Sequence, residues 1–149
     1  MNQYLLSLIA FVGGVFLAAQ GGLNAQLSVL LKSPLLASVA AFSSSLIFAI
    51  TFVLLSIKEV PKWEELTNIP YYMWFVGGLC SVIGLSLYYY TIPRLGIATM
   101  ISLGLCGQLL FSVVASQFGW LNLPIEPITL KKAFGVLSMI IGIVLINLK

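Results

Sequence analysis

From Met1 to Leu31 the chain carries no Asp, Glu, Lys, Arg or His, and four more long apolar stretches follow before Lys149. A bilayer hydrocarbon core about 30 Å thick is crossed by about 20 apolar residues of α-helix, at about 1.5 Å each. The chain is 60% hydrophobic and only 7% charged, against roughly 25% charged residues in a soluble domain. A water-facing surface of ordinary composition cannot be built from it. These stretches predict an all-α integral membrane protein with transmembrane helices over about 3–31, 34–57, 70–91, 95–117 and 130–148, forming a single domain over 1–149.

Proline and charge mark the separators: Lys32-Ser33-Pro34, the segment from Lys58 to Pro70, Ile92-Pro93-Arg94, and Phe118 to Pro127. Proline lacks the N–H that a helix interior needs, so these positions read as helix ends. Tyr71, Tyr72, Trp74, Tyr88 to Tyr90 and Trp120 fall near span ends, as an interfacial aromatic belt would place most of them. Rows of small residues such as Gly14, Ala18 and Gly22 in the first span, or Gly77, Ser81 and Gly84 in the third, allow close helix packing where no hydrophobic effect drives association.

The first stretch lacks the basic n-region of a signal peptide, so Met1 reads as retained. Cys80 and Cys106 have no CxxC partner and no neighbouring His, and read as buried inert thiols. Seven Lys or Arg against four acids give a net charge of +3, all of it near span ends, which implies no nucleic-acid partner. With no His and no acid inside a span, neither a nucleophile with its base nor a metal site can be assembled, so the sequence implies no enzyme, no metal and no cofactor.

Five spans put the termini on opposite sides. Lys58, Lys62, Lys131 and Lys132 lie on the N-terminal side, with Lys32, Arg94 and Lys149 on the other. Topology follows an imbalance of Lys and Arg, and this distribution is nearly even. Either orientation can insert, so two copies can pair antiparallel and recreate the inverted repeats that many transporters carry in one chain.

Polar residues inside the apolar runs are the candidates for chemistry. The stretch LAAQGGLNAQL, residues 17–27, lies in a span too long to stand upright, so Gly21-Gly22 is expected to bend or break it. Gln20 and Asn24 share one helix face, being four residues apart. Gln20, Ser44, Ser102 and Gln108 all lie within about 6 Å of their spans' midpoints, the depth at which transporters bind substrate. Tyr88 falls on the face of Ser81 and Gly84 and can line the same cavity. Arg94 reads as a headgroup anchor before a substrate clamp, and Glu126, between Pro124 and Pro127, as a solvated loop charge. The competing view is that these amides and hydroxyls only join helices, at about 0.6 kcal/mol per bond.

The stretches AAQGGLNAQLSVLLKSPLLASVAAF (18–42), PRLGIATMISLGLCGQLL (93–110) and QFGWLNLP (117–124), with the Gly-containing last helix, resemble the YdcZ-like family of the drug/metabolite transporter superfamily. The chain is also similar to one half of an EamA-like exporter, whose five-helix halves are mutually inverted. The resemblance implies one inverted-repeat unit of such a bundle, a homodimer in the bacterial cytoplasmic (inner) membrane, and movement of small molecules. Where many relatives read N-A-R-L and D-H-F-G, this chain has Asn24-Ala25-Gln26-Leu27 and Ser116-Gln117-Phe118-Gly119. No arginine, acid or histidine carries over at those places. Small multidrug resistance proteins have a first-helix glutamate, for which only Gln20 and Asn24 stand here, so proton-coupled export of cations is not implied.

The resulting expectation is a transporter of a small neutral or zwitterionic metabolite, working by alternating access as an antiparallel homodimer among membrane lipid. Its substrate site would comprise Gln20, Gly21, Gly22, Asn24, Ser44, Tyr88, Ser102 and Gln108. The alternative is a non-transporting membrane subunit whose polar residues serve packing alone.

Overall fold

The computed structural model describes residues 2–56, 60–122 and 125–148. Met1, Lys58, Pro124 and Lys149, which enter the cleavage, charge and loop arguments, lie outside them. The described residues are helical or irregular, with α1 Gln3–Leu30, α2 Pro34–Ser56, α3 Trp63–Thr67, α4 Tyr71–Leu95, α5 Ile97–Phe118 and α6 Leu130–Asn147. All but the short α3 are long and apolar enough to cross a membrane. The five spans are therefore those expected, while α3 lies in a connection whose charge gave no helical period.

The chain forms two compact units, Met1–Arg94 and Leu95–Lys149. In the first, α1 ends in a Schellman turn: Lys32 N–H donates to Val29 O and Ser33 N–H to Ser28 O, at 3.1 and 3.0 Å. Lys32 takes the left-handed position (φ 52°) usually given to glycine. Ser33 then caps α2, its hydroxyl accepting Leu36 N–H, and Pro34 sits at the first helical position, where its missing N–H costs nothing. Local chemistry alone thus folds α1 and α2 into a hairpin.

Two expectations about helix ends need correction. Gly21-Gly22 does not break α1, which is continuous from Gln3 to Leu30. Gly21 is buried, and a Cβ there would lie 3.6 Å from Ile92 Cδ1, an ordinary van der Waals contact. Likewise α4 does not stop before Pro93 but runs through it to Leu95. Proline at 93 deprives the Tyr89 carbonyl of its helical donor, and Ser28 Oγ of α1 supplies a replacement at 3.0 Å. Tertiary contact overrides the local stop signal. The turn belongs instead to Gly96, at φ 84° and ψ 152°, a region essentially restricted to glycine.

The Gly96 geometry yields a prediction. A Cβ there would meet nothing within 4 Å, so Gly96→Ala is purely a torsional penalty, at the low end of the range for such strain, about 1 kcal/mol. Gly107→Ala, within regular helix and equally open, should be neutral or slightly stabilising. Denaturant titration in detergent should separate the two; equal stabilities would show that the linker does not need its positive φ.

In the second unit, α5 ends at Gly119 in the left-handed region (φ 62°), where a Cβ would fall 2.8 Å from Ile125 Cγ1. Trp120 stacks on Phe118 with ring centroids 6.0 Å apart, an aromatic cluster at a span end. Thr129 caps α6, accepting Lys132 N–H.

Correction also extends to the thiols. Cys80 is exposed on its helix and Cys106 only half-buried; both are free. In so apolar a chain a thiol faces lipid as readily as it packs.

Candidate functional site

Within the first unit, a polar seam joins α4 to α1 and α2. Asn24 Nδ2 donates to Tyr89 Oη at 3.1 Å. One turn further along α1, Ser28 Oγ reaches Ala25 O and Tyr89 O at 2.8 and 3.0 Å. From α2, Ser38 Oγ pairs with Ser86 Oγ at 2.8 Å and also bonds Pro34 O. Gly21, Ala25 and Ser28, spaced by four and three residues, are the buried residues of α1. Tyr89 is fully buried where they converge.

The eight expected site residues divide between the units. Gln20, Gly21, Gly22, Asn24, Ser44 and Tyr88 belong to the first; Ser102 and Gln108 belong to the second. Gln20, Gly22, Asn24 and Tyr88 are half-buried and Gly21 buried. Ser44 is exposed and bonded back to Ala41 O of its own helix. Gln108 is exposed, whereas Ser102 is buried; it donates to Thr99 O and accepts from Asn147 Nδ2 at 3.2 Å.

The sequence places Tyr89 in the aromatic belt and Ser38 in a helix-packing row, and gives Ser28, Ser86 and Asn147 no role. Of the three consecutive tyrosines it favoured Tyr88 for the cavity, and the residue that packs most deeply is Tyr89. Two signals pointed there. Pro93 frees the carbonyl four residues earlier, and Ser28 is one turn from Asn24 on the same face of α1.

Cavities among the described residues flank these groups. Two lie in the first unit along α1 and α4. In the second, α5 and α6 enclose about 360 Å³ lined by Ser112, Ser116, Met139 and the pair Glu126–Lys132. That ion pair measures 2.6 Å, so the loop acid is exposed but partnered. Hydrogen bonding to Lys132, then its charge, holds the Glu126 carboxyl below the ordinary carboxylate range. The pair therefore forms above that range and is lost as pH falls through the depressed value. The exposure of both side chains to solvent keeps its contribution small.

Among the described residues no cluster of His, Cys, Asp or Glu could hold a metal ion. Five helices long and apolar enough to cross a membrane define a polytopic helical membrane protein. A family model described as "Putative inner membrane exporter, YdcZ" matches residues 5–145. The chain belongs to this YdcZ family of the drug/metabolite transporter superfamily, and with it to the inner membrane. No curated protein and no solved structure matches it.

Proposed function

We propose that the chain is the protomer of an exporter that moves a small neutral or zwitterionic metabolite by alternating access, as an antiparallel homodimer. The family description supports transport and its direction. The observation that carries the site is the Gln20–Asn24 face. Gln20 is half-buried, about 5 Å from the middle of α1, and makes no hydrogen bond among the described residues. Asn24 commits its amide nitrogen to Tyr89, while no hydrogen bond among the described residues uses its oxygen. Unpaired amides at membrane depth are costly unless water, protein or solute reaches them. With Gly21 and Gly22 these groups would orient the solute from one protomer. Ser44, Tyr88, Ser102 and Gln108 are the further ligands proposed, and one bundle would rock against its partner.

The packing reading draws on the same seam, since the Asn24–Tyr89 and Ser38–Ser86 bonds also suit a subunit that only assembles. Flux separates the two. In liposomes holding purified protein and a solute identified by ligand screening, Gln20→Ala and Asn24→Ala should weaken binding by about 1–3 kcal/mol, roughly five- to 150-fold. Unchanged flux per folded dimer would favour the assembly role. A compartment-specific reporter at the C-terminus should give signal from both sides of the membrane, collapsing to one when two lysines are added there. A single wild-type orientation would remove the antiparallel arrangement while leaving transport standing.

A further inference from the structure

Lys32 and Arg94 come from different connections of the chain, yet both line one cavity of about 420 Å³ with Ser28, Pro34 and Tyr90. Their convergence follows from the fold: the Ser28–Tyr89 bond fixes the last turn of α1 beside the last turns of α4, and each cation stands just beyond its crossing point. Arg94 lies over the Tyr90 ring, 3.6 Å from its centroid, and its guanidinium donates to Tyr90 O. Neither cation forms an ion pair among the described residues, and no acidic side chain lines the cavity. Helix C-termini favour cations, which accounts for each charge singly. It does not account for two in one recess without a counter-ion.

A second recess of about 390 Å³ adjoins this one, sharing Val29 and Pro93. Gly22, Ala25, Leu30 and Ile92 continue its wall along α1 and α4, with the Gln26 amide its one polar side chain and no charge among its lining residues. Together the two make a cationic head at a span end and an apolar groove running from it toward the membrane interior. Val29 and Leu30 at the rim are exposed, at 56% and 73%, as lipid-facing residues would be.

We infer that this double recess binds an anionic phospholipid, its phosphate held by Lys32 and Arg94 and an acyl chain laid in the groove. Basic pockets beside transmembrane helices take anionic headgroups at about 1 kcal/mol per cation, which converts to about fivefold in affinity for each charge and roughly thirtyfold for both. The continuous groove selects a lipid over a free anion, because inorganic phosphate would use only its mouth.

The test titrates purified protein in neutral detergent with dioleoyl phosphatidylglycerol, dioleoyl phosphatidylcholine or inorganic phosphate. Readouts are thermal shift and lipid retained in native mass spectrometry. Phosphatidylglycerol should be retained and raise the melting temperature well above phosphatidylcholine. Lys32→Gln with Arg94→Gln should weaken it roughly thirtyfold, while Lys32→Arg with Arg94→Lys, folded and still doubly charged, should keep most of it. Equal retention of phosphatidylcholine would mean unselective annular lipid, and equal stabilisation by inorganic phosphate a free-anion site. A double Gln variant that changes the monomer–dimer distribution instead of lipid retention would place a second copy over the groove. Each of these three results overturns the proposal.

Discussion

Tyr89→Ala should be the most damaging single truncation in the first unit, lowering stability by about 3 kcal/mol. That is the low end of the range for removing a buried aromatic ring, chosen because lipid can solvate part of what the ring touches when the helices separate. The ring is fully buried and its hydroxyl accepts Asn24 Nδ2, so truncation empties the point where α1 meets α4. In a bilayer the helices cohere through close packing and interhelical bonds, and this ring supplies both. Tyr89→Phe keeps the packing and should cost only the hydrogen bond, about 0.6 kcal/mol on average. Tyr90→Ala, at a 48% exposed position, should stay near the ±0.5 kcal/mol of surface changes. Titration with a denaturing detergent measures all three. If Tyr89→Ala unfolds with Tyr90→Ala, the ring does not anchor the seam.

The spans were legible because the bilayer imposes a length and a composition that leave little choice. Each charge-free run had to be a helix, and Ser33, Pro34 and Gly119 act at the ends as their local chemistry requires. Interior ends were harder. Pro93 carries a strong local stop signal, and what overrides it is a hydroxyl distant in sequence, Ser28, which no local pattern reveals. Gly21-Gly22 failed as a break because a glycine pair permits one without requiring it, and α1 runs through both residues. The site was legible as a set of residue types more than as partners. Asn24 stands out in the sequence as a polar residue inside an apolar run. Its choice of Tyr89 depends on the rotation of α4, which a helix apolar on nearly every face does not announce. Similarly, no local pattern around Ser102 announces that Asn147, at the far end of the chain, donates to its hydroxyl.

Ser28→Ala should cost about 2–3 kcal/mol, far above the average interhelical bond, because of what it leaves behind. Pro93 has already removed the helical donor to Tyr89 O. Losing Ser28 Oγ, which stands 3.0 Å away, strands that carbonyl where water is scarce. An unsatisfied buried group carries its whole desolvation cost, about 1–3 kcal/mol and more in hydrocarbon. The same reasoning requires that the penalty vanish when the donor is restored. Alanine at 93 returns an N–H to the ladder, so in a Pro93→Ala background Ser28→Ala should cost no more than about 0.6 kcal/mol, the average for an interhelical bond. The resulting coupling of about 2 kcal/mol lies within the range for residues sharing one network. Two additive substitutions would show that Ser28 acts through its bond to Ala25 O or through packing alone. Flux in the same four proteins reads the functional side. Proline breaks the rigid ladder near the end of α4, so Pro93→Ala should stiffen the turns that carry Arg94 and slow any transport step in which they move. A stabilised Pro93→Ala protein with undiminished flux would place that proline in folding alone.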